Sequence, residues 1–270
     1  MSTLWSDARV LWHLVRGQRR AGTLEERLER FYAPQADRYD AFRERLLHGR
    51  RELIDLLDLP SRSRVVELGG GTGRNLEFFG DRLAQLESLQ IVDLCPALLE
   101  HARKRAQGLP NVSVMQGDAC TWKPGAPVDA VVFSYVLTMI PDWFRAVDNA
   151  LSMLRPGGRL CVVDFYVSRH TPAAGLVRHG TVRRIFWPLW LAHDGVFLSP
   201  DQLPYLLARC ECMHLEEHFG AVPYLPSVRI PYYLFVGRVK SEESASEFER
   251  RSGFERAREL AQQPEASSKS

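Results

Sequence analysis

The chain has 270 residues, of which 45% are hydrophobic and 25% are charged, values that are ordinary for a globular protein with a full apolar core. Its formal net charge of +2 is nearly balanced, so charge gives no indication of a nucleic-acid partner. The five cysteines are scattered without a C-x-x-C pair, which argues against a zinc site or a disulfide framework and favours a reducing, cytoplasmic compartment.

The first 30 residues place apolar side chains at helical spacing among arginines, and include Trp5 and Trp12. This pattern predicts an amphipathic, basic helix that either packs on the domain or lies in a membrane surface. It lacks the continuous apolar core and the cleavage site of a signal peptide. The longest apolar run, Val128 to Ile140, contains Asp129 and is shorter than the ~20 residues that span a bilayer, so we expect no transmembrane helix.

Residues 1–60 are predicted to form a helical extension that caps the active site, with a break near Pro34. A short β-prone run then ends in Glu67 and a glycine cluster, within the segment Arg64–Asn75. Glycines at 69, 71 and 73 allow the backbone to turn sharply and to bring its amides against a ligand. A dinucleotide fingerprint that starts at Gly71 would need glycine at position 76, where Leu76 stands. The acidic strand end would repel a pyrophosphate but attract a cationic ligand.

Two further acids follow predicted strands at suitable distances. The run Gln90–Leu94 predicts a second strand with Asp93 at its end, from which a carboxylate can accept both hydroxyls of a ribose. The run Val112–Ala119 predicts a third strand that ends in Gly117, Asp118 and Ala119. Each motif is weak alone, because Gly-Asp pairs and acids at strand ends are common, but three in this order and spacing are a strong signal.

The rest of the chain alternates between strands and helices, as a doubly wound, mostly parallel α/β sheet requires. Helices are predicted over Asn75 to Leu83, Pro96 to Gln107 and Trp143 to Leu154, and strands over Val128 to Ser134, Arg159 to Asp164, Cys212 to His218 and Tyr232 to Val239. An aromatic, irregular insertion over the active site is predicted at about 165–198. The sheet domain is therefore predicted to cover residues 61–240, followed by a charged, disordered tail at 241–270.

The acidic strand end and glycine loop resemble those of class I S-adenosylmethionine-dependent methyltransferases. The resemblance implies a Rossmann-like fold and S-adenosylmethionine as cofactor, a ligand with an ammonium and a sulfonium group and no phosphate. Asp118 would meet the adenine amino group, and the guanidinium of Arg50 would grip the methionine carboxylate or be a solvated helix residue. The predicted cofactor-binding residues are Arg50, Glu67, Gly69, Gly71, Gly73, Asp93, Leu94, Asp118, Ala119 and Ser134.

A narrower resemblance covers roughly residues 28–238. The chain is similar to the methyltransferase half of betaine lipid synthases at Phe31–Arg43, Leu46–Arg50, Val92–Cys95, Ser134–Pro141, Val163–Tyr166, Phe186–Asp194 and Leu198–Pro200. This resemblance implies successive N-methylations of diacylglyceryl-homoserine to the trimethylated betaine lipid. The chain has no room for the aminocarboxypropyl-transferring half, so we expect a separate enzyme to supply the homoserine lipid.

The candidate catalytic residues are Tyr39, His48 and Tyr135, which are polar side chains on segments that flank the cofactor in this fold. His48 could instead cap or pack in a helix. The product ends as a quaternary ammonium, which aromatic faces can hold at ~0.5–2 kcal/mol each. Tyr166, Trp187 and Trp190 are the candidate substrate residues besides Tyr135, although at least two of these four aromatic residues are expected in the core.

Three arginines, at 178, 183 and 184, are expected either to engage a carboxylate or anionic headgroups, or to lie on a solvated loop. The predicted partners are a lipid amine and a membrane surface, with peripheral association on its inner face, and no nucleic acid or metal. Two alternatives remain: a methyltransferase that acts on another lipid amine or a soluble small molecule, and a non-catalytic module that binds S-adenosylmethionine. The three retained acids, Glu67, Asp93 and Asp118, argue against the second.

Overall fold

The computed structural model describes Thr23 and residues 45–192, 195–223 and 225–239. The predicted amphipathic helix, the break near Pro34, the candidate Tyr39 and the charged tail lie outside these described residues, and their predictions stay predictions. Within the described ranges, none of the helices combines the length and the apolar character that crossing a bilayer requires.

The described residues contain one seven-stranded sheet. Its strands are β1 (Arg64–Leu68), β2 (Ser88–Asp93), β3 (Val112–Gln116), β4 (Val128–Ser134), β5 (Leu154–Phe165), β6 (Cys210–Val222) and β7 (Leu225–Val239). The spatial order is β3-β2-β1-β4-β5-β7-β6. Strands β1 to β5 run parallel, whereas β7 is antiparallel to both of its neighbours. The prediction of a mostly parallel α/β sheet is confirmed.

Helices cover both faces of this sheet. They are α1 (Arg50–Asp55), α2 (Leu76–Phe79), α3 (Pro96–Arg105), α4 (Trp143–Met153), α5 (Thr181–Ala192) and α6 (Gln202–Arg209), with 3-10 turns at Gly80–Gln85 and Leu137–Met139. Helix α3 shows why such elements form where they do: Pro96 suits its first turn, and three basic residues complement the negative end of its dipole.

Alternating side chains of the strands build two separate apolar layers. Val65 and Val163 face one layer, together with Leu53 of α1 and Trp187 of α5. The neighbouring residues, such as Val66, face the other layer, which α4 and α6 cover. Because successive strand residues point to opposite faces, a one-residue difference in position decides which layer a side chain joins.

The strand order reverses at β1, which pairs with β2 on one side and with β4 on the other. At such a reversal, connections leave to opposite faces and open a crevice beyond the carboxyl ends of the strands. Glu67, Asp93 and Ser134 all lie at or next to these strand ends. The topology therefore brings the predicted cofactor residues of three strands to one edge of the sheet.

Several predicted bounds are wrong. The helix after the glycine loop is only four residues long, because Gly80 has φ +52 and the chain continues as a 3-10 turn. The third strand ends at Gln116 rather than at Ala119. The region predicted to be irregular, 165–198, contains the 12-residue helix α5. Helix α6 was not predicted, and β6 and β7 are 13 and 15 residues long, well beyond their predicted bounds.

Candidate cofactor and acceptor site

The glycine loop turns away from β1 directly after Leu68. The amide nitrogens of Gly69 and Gly70 donate to the carbonyl oxygen of Val92, at 2.7 and 3.1 Å. Gly69 has φ +70, and a Cβ added there would lie 2.2 Å from Cγ2 of Val136. Only glycine fits this position, because both the backbone conformation and the close neighbour exclude a side chain. The loop is thereby held between the carboxyl ends of β2 and β4.

Asp93 is fixed by backbone amides on both of its carboxylate oxygens. The amide of Gly71 donates to Oδ2 at 2.8 Å, and the amide of Cys95 donates to Oδ1 at 2.9 Å. A Cβ on Gly71 would lie 3.8 Å from Leu98 and 4.0 Å from Oδ2 of Asp93, so no backbone crowds this side of the loop. Two of the predicted cofactor residues, Gly71 and Asp93, are therefore in direct contact, with Leu94 next in the chain.

Glu67 lies buried beneath the loop and begins a chain of polar contacts. Its Oε1 accepts a hydrogen bond of 2.6 Å from Nδ2 of Asn75. The side-chain oxygen of Asn75 accepts in turn from Nε and Nη2 of Arg50, at 3.0 and 2.8 Å. Among the described residues, the second oxygen of Glu67 has no hydrogen-bond partner. This buried acceptor is suited to a donor that the protein does not itself supply.

Burial raises the pKa of Glu67 to about 7, although the Arg50 charge and the Asn75 hydrogen bond lower it, and the nearby Asp93 raises it further. A carboxylate with this pKa is half-ionised at neutral pH. An ammonium group placed beside it would favour the ionised form, because opposite charges attract strongly in a poorly solvated site. Glu67 is therefore suited to hold the ammonium end of a ligand.

The carboxyl end of β3 forms a turn beside Asp93. The amide of Gly117 donates to the carbonyl of Asp93 at 3.0 Å, and Oδ1 of Asp118 accepts from the amide of Cys120 at 2.8 Å. Asp118 is exposed, whereas Ala119 is buried in the second apolar layer. The carboxylate of Asp118 thus stands at the rim of the same crevice, where a base could meet it.

The carboxyl end of β4 carries Ser134 and Tyr135. Ser134 is buried, and its hydroxyl oxygen has no hydrogen-bond partner among the residues that the structure describes. Tyr135 adopts a left-handed backbone conformation with φ +57, and its hydroxyl donates to the carbonyl oxygen of His48 at 2.6 Å. Burial raises the pKa of Tyr135 well above its ordinary value, with the Asp164 charge as the next cause. Tyr135 is therefore protonated at neutral pH, and its contact is with the backbone of residue 48.

The side chain of His48 points toward β6. Its Nε2 lies 2.9 Å from the carbonyl oxygen of Ala221, which can only accept, so this nitrogen carries the proton. The ring stacks on Tyr232 with a centroid distance of 5.8 Å. Catalytic roles for His48 and Tyr135 stay predictions, and each residue also has a packing contact that explains its presence.

The four candidate aromatic residues do not form one cage in the described structure. Tyr135 and Trp187 belong to the same apolar layer, where the ring of Tyr135 lies 4.5 Å from that of Phe165. Tyr166 is the residue directly after β5, and its side chain lies in the other apolar layer. Its hydroxyl donates to Glu217. Trp190 is 46% exposed. Tyr135, Tyr166 and Trp187 are each 3% exposed, so the expectation that at least two of the four lie in the core is confirmed. Their roles toward the substrate stay predictions.

Two polar residues of the site were not predicted. Asn75 joins Glu67 to Arg50, and only its position two residues after the last glycine of the loop signals it. Asp164 is the last residue but one of β5, near the same edge of the sheet at which Asp93 ends β2. Its carboxylate is fully buried and accepts from the hydroxyl and the amide of Thr138, at 2.8 and 3.2 Å. Burial raises the pKa of Asp164 to about 6.

The residues present fit S-adenosylmethionine. The unpartnered oxygen of Glu67 suits an ammonium, Asp93 presents an oriented carboxylate for the predicted ribose contact, and Gly71 leaves space beside Asp93. Arg50, held at Asn75, stays the residue predicted to bind the methionine carboxylate. Over the described ranges, no group of three or more His, Cys, Asp or Glu side chains is arranged to hold a metal ion.

Comparisons with known proteins agree with this fit. A family model described as a methyltransferase domain matches residues 65–158. The aklanonic acid methyltransferase DauC of Streptomyces sp. (strain C5) is 33% identical over 174 residues, which are 63% of this chain and 67% of that protein. The trans-aconitate 2-methyltransferase of Azoarcus sp. (strain BH72) is 33% identical over 124 residues, and the chain spans 47% of its length.

Among solved structures, the N-methyltransferase NodS from Bradyrhizobium japonicum WM9, in complex with S-adenosyl-L-homocysteine, superposes with a TM-score of 0.58 at 19% identity. The match covers 82% of this chain and 100% of that one, and at this identity it establishes the fold alone. The match to DauC over two thirds of its length, together with the methyltransferase domain model, settles the family. The chain belongs to the class I S-adenosylmethionine-dependent methyltransferases.

Proposed function

We propose that this chain is an N-methyltransferase that acts on a lipid amine and converts diacylglyceryl-homoserine to its trimethylated betaine form. The observation that carries the proposal is the resemblance to the methyltransferase half of betaine lipid synthases over residues 28–238. Its motifs include Ser134–Pro141, which surrounds the carboxyl end of β4, and Leu46–Arg50, which contributes the arginine of the polar chain at Glu67.

The main contribution of the protein at the cofactor is to hold it in the orientation that methyl transfer requires. Bound S-adenosylmethionine supplies a methyl group activated by a sulfonium sulfur. Glu67, Asp93 and the glycine loop would fix the two ends of that molecule, and their rigidity supports an ordered site: Asp93 is held by two amides, and Glu67 by Asn75. Preorganised contacts of this kind lower the barrier by removing the entropy of alignment from the chemical step.

The acceptor end is suited to an amine that becomes a cation. Tyr135 and Phe165 lie at the carboxyl ends of β4 and β5, with ring centroids 4.5 Å apart, and Trp187 of α5 belongs to the same apolar layer. Asp164 lies at the same strand end and interacts electrostatically with Tyr135. Aromatic faces favour a quaternary ammonium, which cannot donate a hydrogen bond through its nitrogen.

An acceptor amine must be neutral to accept a methyl group, so the site must bind the neutral form or take up its proton. Tyr135 is a poor candidate for this proton, because a raised phenol pKa means that the group is already protonated at neutral pH. Its proposed contribution is therefore its aromatic face, with the hydroxyl used to hold the backbone at His48.

The experiment that tests the proposal compares a lipid acceptor with a soluble one of the same head group. Initial rates are measured with diacylglyceryl-homoserine in mixed micelles and with free homoserine, at saturating S-adenosylmethionine. We expect methylation of the lipid alone. Efficient methylation of a soluble acid or amine instead would favour the alternative of a small-molecule methyltransferase, the chemistry named for the aklanonic acid and trans-aconitate enzymes.

A further inference from the structure

Helix α5 carries apolar side chains on two opposite faces. Its inner face, formed by Trp187 and Leu191, is buried in the layer that contains Tyr135. Its outer face consists of Val182, Ile185, Phe186, Leu189 and Trp190, which are 38% to 80% exposed. We name these five residues the outer face of α5.

The spacing of the outer face is that of one helical stripe. Its residues follow one another at intervals of three, one, three and one, so that they fall on one side of a helix. A helix whose outer side meets only water normally carries polar residues there, and a contiguous exposed apolar patch marks an interaction surface. The outer face of α5 is therefore suited to a partner that is itself apolar.

The charge around this face selects the partner. From Phe165 to Ala192 the chain contains four arginines and no acidic residue. Arg178 and Arg183 are exposed, and the guanidinium carbon of Arg183 lies 4.8 Å from the ring centroid of Phe219, which is itself partly exposed. An apolar stripe flanked by guanidinium groups complements a lipid surface with anionic headgroups, whereas two copies of the same face would repel each other.

We propose that the outer face of α5 is an interfacial surface that inserts into an anionic bilayer. The inner face of the same helix is buried in the apolar layer that also contains Tyr135, and the amide of Phe197, five residues after the helix, donates to the carbonyl of Thr138 at 2.7 Å. A helix is only ~10–12 Å across with its side chains, so the bilayer surface would lie about one helix diameter from the acceptor layer. Resting on the proposed function, this surface would present a lipid amine to the site directly from the membrane.

Co-sedimentation of the full chain with vesicles tests the surface without any methylation assay. The probes are vesicles of phosphatidylglycerol with phosphatidylcholine, and vesicles of phosphatidylcholine alone. The variants are Ile185→Asp and Leu189→Asp, with Phe144→Asp on α4 as the matched control, since Phe144 is 43% exposed outside this face. Each α5 variant should weaken binding to the anionic vesicles by about tenfold or more, while Phe144→Asp leaves it unchanged.

The charge requirement has its own variant. Changing Arg178 and Arg183 together to Gln should weaken binding to the anionic vesicles by at least about fivefold and leave binding to neutral vesicles unaltered, because each basic group near a charged surface adds only to the electrostatic attraction. Cofactor affinity, measured by calorimetry, is the folding control and should equal that of the unaltered chain in every variant.

Three results would overturn the proposal: no binding of the unaltered chain to anionic vesicles, equal binding by the α5 variants, or binding that is lost only when residues 1–22 are deleted. Failure of the proposed function is recognised separately. If the chain binds vesicles through α5 but methylates no lipid amine, the membrane-binding surface is supported and only the proposed substrate is wrong. If the surface and the substrate are both as proposed, Leu189→Asp should slow methylation of diacylglyceryl-homoserine in vesicles. The same variant should methylate a short-chain, monomeric form of this lipid at the unaltered rate.

Discussion

The side-chain amide of Asn75 donates a 2.6 Å hydrogen bond to Glu67, inside the glycine loop and away from water. The same amide accepts two hydrogen bonds from Arg50 through its oxygen. One asparagine therefore aligns a buried carboxylate and a guanidinium that lie on different elements. The arrangement brings together the two side chains that are predicted to bind the ammonium and the carboxylate of the cofactor's methionine end.

Replacing Asn75 with Ala should weaken cofactor binding by about ten- to a hundredfold, because a hydrogen bond to a charged group is worth ~1.5–3 kcal/mol and Glu67 would lose its alignment. Isothermal titration with S-adenosyl-L-homocysteine measures this loss. The matched control is Asn111→Ala, whose amide donates to the carbonyls of Leu83 and Leu86 outside the site. Asn111→Ala should lower stability and keep the affinity; equal affinity losses would contradict the proposed alignment.

The pH dependence of cofactor binding should follow Glu67. Its pKa of about 7 in the free protein means that the carboxylate is largely ionised at pH 8 and largely protonated at pH 6. An ammonium at the predicted position would bind the ionised form, so the affinity should fall by about tenfold from pH 8 to pH 6. The Glu67→Gln variant should bind more weakly at pH 8 and lose most of this dependence. An unchanged pH profile in that variant would remove Glu67 from the ammonium site.

Gly71→Val should abolish detectable cofactor binding, because its backbone has φ +55 and the new side chain would enter the space beside Asp93. Gly80→Val is the matched control: it has φ +52, and a Cβ there meets nothing within 4 Å. Both variants should lose comparable stability in thermal unfolding, and only Gly71→Val should lose affinity. Full affinity in Gly71→Val would show that the ligand lies elsewhere.

Asp93→Ala should likewise lose cofactor affinity, since it removes the carboxylate that two backbone amides orient at the end of β2. The amide of Gly71 would also lose its acceptor, so part of the effect comes from the loop itself. Asp93→Asn, which keeps an acceptor oxygen for that amide, should retain the fold and still bind more weakly. Undiminished affinity of both variants by calorimetry would count against the ribose assignment.

Tyr135 should act through its ring rather than its hydroxyl. Tyr135→Phe removes the hydrogen bond to the carbonyl of His48 and should cost about 1 kcal/mol of stability while leaving methylation largely intact. Tyr135→Ala should slow the later methylations more than the first, since only the later intermediates approach a quaternary ammonium. Single-turnover mass spectrometry separates the steps. Equal slowing of all steps by Tyr135→Ala would exclude a cation-binding role for the ring.

The sequence was sufficient to predict the mostly parallel sheet and the acidic residues at one of its edges. Glu67 and Asp93 each follow an apolar strand run, and parallel strands carry their carboxyl ends to one edge, so their convergence could be predicted without coordinates. The contact between Asn75 and Arg50 could not be predicted in this way. It joins residues 25 positions apart, and its geometry depends on how α1 packs against the loop.

The layer that Tyr166 joins could not be predicted from the sequence for a different reason. The fifth strand was predicted to end at Asp164, whereas it continues through Phe165. Strand alternation then sends Phe165 toward Tyr135 and Tyr166 toward Tyr233, on the other face. Helix α5 was likewise overlooked, because two apolar faces on one helix blur the single-sided pattern by which a surface helix is recognised in sequence.

The proposed substrate is tested most directly by mass spectrometry of the reaction products. The purified chain and S-adenosylmethionine are incubated with diacylglyceryl-homoserine, phosphatidylethanolamine and free homoserine together in mixed micelles. We expect stepwise methylation of the homoserine lipid to its trimethylated form, with the other two acceptors unmodified. Methylation of phosphatidylethanolamine or free homoserine in preference to the homoserine lipid would contradict it.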